Sequence, residues 1–174
     1  MLALFCTDIR NADERMARRK GRIDLPEIVP PMGGKPAFAA EPEKFFSISH
    51  TKTHVMVALS DRPVGVDVET HREISEASAR SLMDEVEAET FDFFELWCLP
   101  ESLYKLNGAG NLREVLRFRR QGEQILYPVP DVYGRLISGI EGCSAAVCQE
   151  NPFDLPEVQW VDVQRLCRES KESF

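Results

Sequence analysis

Between Leu25 and Pro42 the chain places Pro26, Pro30, Pro31, Gly33, Gly34, Pro36 and Pro42. Proline fixes φ and has no amide to donate, and glycine loses the most backbone entropy on ordering, so this run cannot continue a helix or a central strand. It predicts a loop that sets apart a short N-terminal piece. That piece reads as a buried strand over Leu2–Cys6, followed by a polar, helix-forming stretch from Asn11 to Arg22 with Asn11 as its N-cap. The larger part of the fold must be assembled after the loop.

Beyond it, Phe45–Ser49 and His54–Leu59 read as two strands joined by the polar connection His50–Thr53. A turn at Ser60–Pro63 leads into Val64-Gly65-Val66-Asp67-Val68-Glu69, where strand alternation puts the valines on one face and Gly65, Asp67 and Glu69 on the other. A helical region is expected from about Ser75 to Leu106, broken or kinked at Pro100, with Gly108 as its C-cap. Strands follow at Val115–Arg119, Gln124–Tyr127, Gly134–Ser138 and Cys143–Cys148, in a meander-like pattern. Val158–Val163 adds an edge strand and Gln164–Ser170 a helical tail. Strands followed by helix occur twice in outline, which allows two similar halves, residues 1–70 and 71–174, in one compact unit.

Composition narrows the function classes. The 174 residues are 43% hydrophobic and 29% charged, which suits a globular domain able to bury a core. A net charge of −8 argues against a general nucleic-acid binder, whose affinity rests on Lys and Arg neutralising phosphates. A local basic cluster at Arg15, Arg18, Arg19, Lys20 and Arg22 stands apart from that balance. Five cysteines without a C-x-x-C pattern suit reduced thiols in a cytoplasmic protein better than a zinc site or a disulfide framework. The apolar start Leu2–Cys6 is too short for a signal or a membrane span, and no other run qualifies.

Four local features carry chemistry. Asp67 and Glu69, two apart on one strand face, can share a hard cation such as Mg²⁺; they are equally compatible with a solvated acidic strand end. Trp97, Glu101 and Lys105 lie four apart along one helix face, which also describes an ordinary surface ion pair beside a packed ring. Ser47, Ser49 and His50 at a strand end can donate to phosphate oxygens or serve local turn bonding. Lys35, between Gly34 and Pro36, adds a cation on a stiff loop.

In order, Gly34-Lys35-Pro36, Phe46-Ser47-Ile48-Ser49-His50, Val64–Glu69 and Trp97-x-x-x-Glu101-Ser102-x-x-Lys105-x-x-Gly108 resemble the 4′-phosphopantetheinyl transferase superfamily, in its larger type that activates peptide and polyketide synthetases. The resemblance covers about Gly34 to Gly110 and continues more faintly to Cys148. It implies an α+β, sandwich-like fold of two similar halves, each a helix on a small, mainly antiparallel sheet, related by a pseudo-two-fold, in a monomer. It implies transfer of the phosphopantetheine arm of coenzyme A to a serine of an acyl or peptidyl carrier protein, with release of adenosine 3′,5′-bisphosphate. Asp67, Glu69 and Glu101 would bind Mg²⁺, Glu101 would also be the general base, and Lys105 would neutralise the breaking pyrophosphate. Lys35, Ser49, His50 and Lys105 would contact coenzyme A.

Two departures from the pattern bear on activity. Pro100 stands where the family usually has lysine, and only about thirty residues precede Gly34, where the large type carries a longer, basic half. The alternative is a relative that binds a carrier protein or coenzyme A without transfer. An unrelated α/β interaction domain is the third reading.

Overall fold

The computed structural model describes residues 1–10, 28–29, 35, 37–75, 77, 83–108 and 117–162. The expected helices over Asn11–Arg22 and Gln164–Ser170, and the basic cluster at residues 15–22, lie outside these. Strands β1 (Leu2–Asp8), β4 (Phe45–His50), β5 (His54–Ser60) and β11 (Val158–Trp160) form one sheet, in the order β11-β1-β5-β4. Strands β6 (Val64–Thr70), β7 (Arg119–Gln121), β8 (Gln124–Leu126), β9 (Val132–Ile137) and β10 (Cys143–Glu150) form the other, in the order β6-β10-β9-β8-β7. All pairings are antiparallel except that of β11 with β1. The architecture is therefore α+β with two mainly antiparallel sheets, as the sequence implied.

The proline-rich stretch is not wholly loop. Its breakers leave room for two two-residue strands, β2 (Ile28–Val29) and β3 (Ala37–Phe38), which pair with each other. Phe38 then packs on Phe46 of β4, ring centroids 4.8 Å apart.

The helical region also divides differently from expectation. Helix α1 (Glu85–Thr90) and helix α2 (Phe93–Asn107) are separated at Phe91–Asp92, not at Pro100. Each starts with a capping box, Asp84 with Glu87 and Asp92 with Glu95, so the boundary falls where these start signals place it. Helix α2 runs through Pro100 and ends at Gly108, whose φ of 69° is the left-handed cap that glycine adopts without Cβ strain.

Burial follows the alternation in β6. Val64, Val66 and Val68 join Leu4, Cys6, Met56, Ala58, Ala145 and Val147 in a core between the two sheets. The other face of the second sheet packs under α2, with Leu99, Leu103, Leu106, Ile125 and Cys148 in a second core. Gly65 makes that approach possible: a Cβ there would stand 1.9 Å from the Ser102 carbonyl oxygen. Any larger residue must push the helix off the strand.

The sheets meet edge to edge at β4 and β6 without a backbone ladder. The buried hydroxyls of Ser47 and Ser49 accept the amides of Val66 (3.0 Å) and Val68 (3.3 Å) instead. Side chains thus satisfy β6 donors that a neighbouring strand would otherwise take.

Candidate active site

Asp67 projects from β6 beneath α2 and is 3% exposed. Its Oδ1 accepts Ser49 Oγ at 2.7 Å and Lys105 Nζ at 2.6 Å. Lys105 also donates to Ser49 Oγ at 2.7 Å, so strand β4, strand β6 and helix α2 each contribute one corner of a closed triangle. Asp67 Oδ2 is buried and has no hydrogen-bond partner within bonding geometry among the described residues, although the Cys98 thiol lies beside the carboxylate. A carboxylate oxygen left so is costly unless a cation completes it.

Glu101 and Glu69 flank this triangle. Burial, and then the Asp67 charge, push the Glu101 carboxyl above its ordinary value; Lys105 opposes them and Glu69 adds to them. The three carboxylates are close enough to repel, with one ammonium among them. Glu69 is drawn sideways by Arg72, whose Nη1 lies 3.5 Å from Glu69 Oε2. Among the described residues, no three His, Cys, Asp or Glu side chains converge tightly enough to form a closed metal-ligand set. The donor chemistry nonetheless fits a hard divalent cation: oxygen ligands only, one of them orphaned, and an excess of negative charge to relieve.

The sequence-predicted residues separate into two groups. Asp67, Glu69, Glu101 and Lys105 come together, because two adjacent residue faces meet: the Gly65 side of β6 and the Lys105 side of α2. Trp97, one turn before Glu101, stacks on Phe93 with ring centroids 6.0 Å apart. Ser49 joins the carboxylate group and is 4% exposed. His50 is exposed at the strand end. Lys35 lies elsewhere: its Nζ donates to the Val64 carbonyl, at the opposite end of β6 from Glu69, and burial lowers its pKa to about 8.

Two neighbours were not singled out from sequence. Cys98, three residues before Glu101, sits fully buried beside Asp67 and Glu69, and burial raises its thiol far above the usual range. Its Sγ donates to the Ser144 carbonyl at 3.3 Å. The i, i+3, i+7 spacing of Cys98, Glu101 and Lys105 is the signal that could have found it. Arg72, which holds Glu69 and lies 5.5 Å over the Phe94 ring, carries no sequence signal, since the contact depends on how the chain leaves β6.

No family model matches the sequence. Among curated proteins, it is similar to the 4′-phosphopantetheinyl transferase Sfp of Bacillus subtilis (strain 168), 29% identical over 141 residues, or 71% of this chain and 62% of that protein. It is likewise similar to the 4′-phosphopantetheinyl transferase AcpT of Escherichia coli (strain K12), 29% identical over 157 residues, covering 79% of this chain and 74% of AcpT. The 4′-phosphopantetheinyl transferase gsp of Aneurinibacillus migulanus matches at 29% over 141 residues, 70% of this chain and 59% of gsp. The chain thus spans about three fifths of the length of Sfp and gsp.

Proposed function

We propose, on the premise that the chain is a distant member of the 4′-phosphopantetheinyl transferase family, that it transfers the phosphopantetheine arm of coenzyme A to a serine of a carrier protein in the cytoplasm. The observation that carries this reading is the triangle of Asp67, Lys105 and Ser49 with Glu101 beside it. It gathers a buried carboxylate with an uncommitted oxygen, a cation, and a carboxylate of raised proton affinity.

Asp67 would hold Mg²⁺ through Oδ2, with Glu69 and Glu101 as further ligands. A divalent ion held there would supply charge neutralisation for the pyrophosphate oxygens. Glu101, with a proton affinity above that of an exposed glutamate, accepts the proton of the incoming serine hydroxyl. The serine oxygen forms a bond to the phosphorus carrying the arm. The bond from that phosphorus to the bridging oxygen breaks, and adenosine 3′,5′-bisphosphate leaves with the electron pair. Lys105, anchored on Asp67 and Ser49, offsets the charge that builds on the departing phosphate. His50, exposed beside the site, and Lys35, on its far side, are the remaining candidates for contacts with coenzyme A.

The test is direct. Incubated with Mg²⁺, coenzyme A and a panel of apo carrier proteins, the chain should add the mass of the arm to a carrier serine. Asp67→Ala should return transfer to background while leaving the fold intact by circular dichroism. Binding of coenzyme A or a carrier without transfer to any member of the panel points to the non-catalytic relative. Neither binding nor transfer overturns both readings.

A further inference from the structure

We propose that Ser49 is a positioning residue for the metal ligand Asp67 and not a phosphate contact, an inference that rests on the metal-dependent reading above. The resemblance gives Ser49 to coenzyme A, but the geometry points elsewhere. Ser49 is 4% exposed, and its hydroxyl is engaged on every side. It donates its one proton to Asp67 Oδ1 at 2.7 Å, and it accepts from Lys105 Nζ at 2.7 Å and from the Val68 amide at 3.3 Å. A hydroxyl has one donor and two acceptor sites, so all are used and none remains to bind a phosphate oxygen.

The consequence falls on Asp67. With Oδ1 tied to Ser49 and Lys105, rotation about the carboxylate is blocked and Oδ2 is the only oxygen left to bind a cation. Ser49 also belongs to β4, whereas Asp67 and Lys105 belong to β6 and α2, so it is the contribution of the first sheet to the ligand's orientation. Outer partners of this kind fix which ligand atom faces a metal and tune its affinity.

Ser47 supplies the internal control. It lies two residues away on the same strand face, is equally buried at 4%, and makes the same kind of bond, accepting the Val66 amide at 3.0 Å. No carboxylate is bonded to it among the described residues. Loss of either hydroxyl weakens the seam between the sheets; loss of Ser49 also removes one of the two bonds that hold Asp67 Oδ1.

The experiment titrates Mn²⁺, as a spectroscopically visible probe of the Mg²⁺ site, into the full chain and into Ser47→Ala and Ser49→Ala, following free Mn²⁺ by electron paramagnetic resonance. Melting temperatures and coenzyme A affinity in excess chelator are measured alongside. Both variants should lose thermal stability, Ser49→Ala the more, since it breaks three hydrogen bonds where Ser47→Ala breaks the bond to the Val66 amide. Ser49→Ala should weaken Mn²⁺ binding about ten- to a hundredfold, Ser47→Ala less than about twofold, and chelator-treated coenzyme A affinity should not change. Equal Mn²⁺ effects in the two variants, or none in Ser49→Ala, overturn the positioning role alone. Weaker metal-free coenzyme A binding in Ser49→Ala restores the phosphate contact and overturns it as well. Absence of Mn²⁺ binding by the unsubstituted chain overturns the metal-dependent reading and this inference together.

Discussion

Glu101 is held in an environment that disfavours its charged form, at a cost to stability when it ionises. Burial and the neighbouring Asp67 charge raise its proton affinity above that of an ordinary glutamate at 4.5. A raised carboxylate pKa favours the folded state most fully below the unfolded value, and that contribution is lost as pH rises through the folded one. Glu101→Gln should therefore melt at a higher temperature than the unsubstituted chain at pH 8, with the difference closing toward pH 4, as followed by scanning calorimetry. The identity of this residue was legible from its spacing to Lys105. Its proton affinity was not, because the burial and then the Asp67 and Glu69 charges that raise it arise from contact with another element.

At the scale of elements, the site exists because α2 lies directly on β6. Gly65 permits this contact, with the Ser102 carbonyl 1.9 Å and the Leu106 amide nitrogen 2.6 Å from where its Cβ would be. Both obstacles are backbone, which cannot rotate away. Gly65→Ala should cost about 3 kcal/mol or more in urea unfolding, the upper end for overpacking, and should reduce transfer by lifting Lys105 from Asp67. Pro100 makes the contrasting case. It sits half-exposed inside a helix that continues through it, so its missing amide is a local deficit and not a boundary. Pro100→Ala should raise stability by about 1–3 kcal/mol, since proline is about 3 kcal/mol worse than alanine in a helix interior. Pro100→Lys should not reduce transfer in the carrier assay; a dead variant would show that the helix needs the proline's geometry. The break at Phe91–Asp92 was readable in principle from two D-x-x-E capping signals, Asp84-x-x-Glu87 and Asp92-x-x-Glu95. Proline's missing amide and its clash with the preceding turn predict a break at Pro100, but packing of α2 on β6 and β10 outweighs them.

At the scale of the whole molecule, the chain's end returns to its beginning. Strand β11 joins the first sheet parallel to β1, and the Val161 amide donates to the Cys6 carbonyl at 2.8 Å. Val158 packs against the core between the sheets. Val158→Asp should lower stability by about 1–3 kcal/mol, as burying an unpaired carboxylate does, and chemical denaturation should show the loss in a single transition shared by both sheets. Separate transitions would mean that the sheets fold independently across the serine seam. Local pattern alone specifies the alternation of β6, the carboxylates it presents, the helix that bears Glu101 and Lys105, and the glycine that ends that helix. These depend on periods of two and 3.6 residues, on spacing and on caps, all of which are local. The tertiary structure alone shows that Ser49 bonds Asp67 and Lys105, that Lys35 turns to the Val64 carbonyl, and that β11 joins the first sheet. Those outcomes depend on which edges and faces meet, and a pairing between elements distant in the chain leaves no periodic trace in either one.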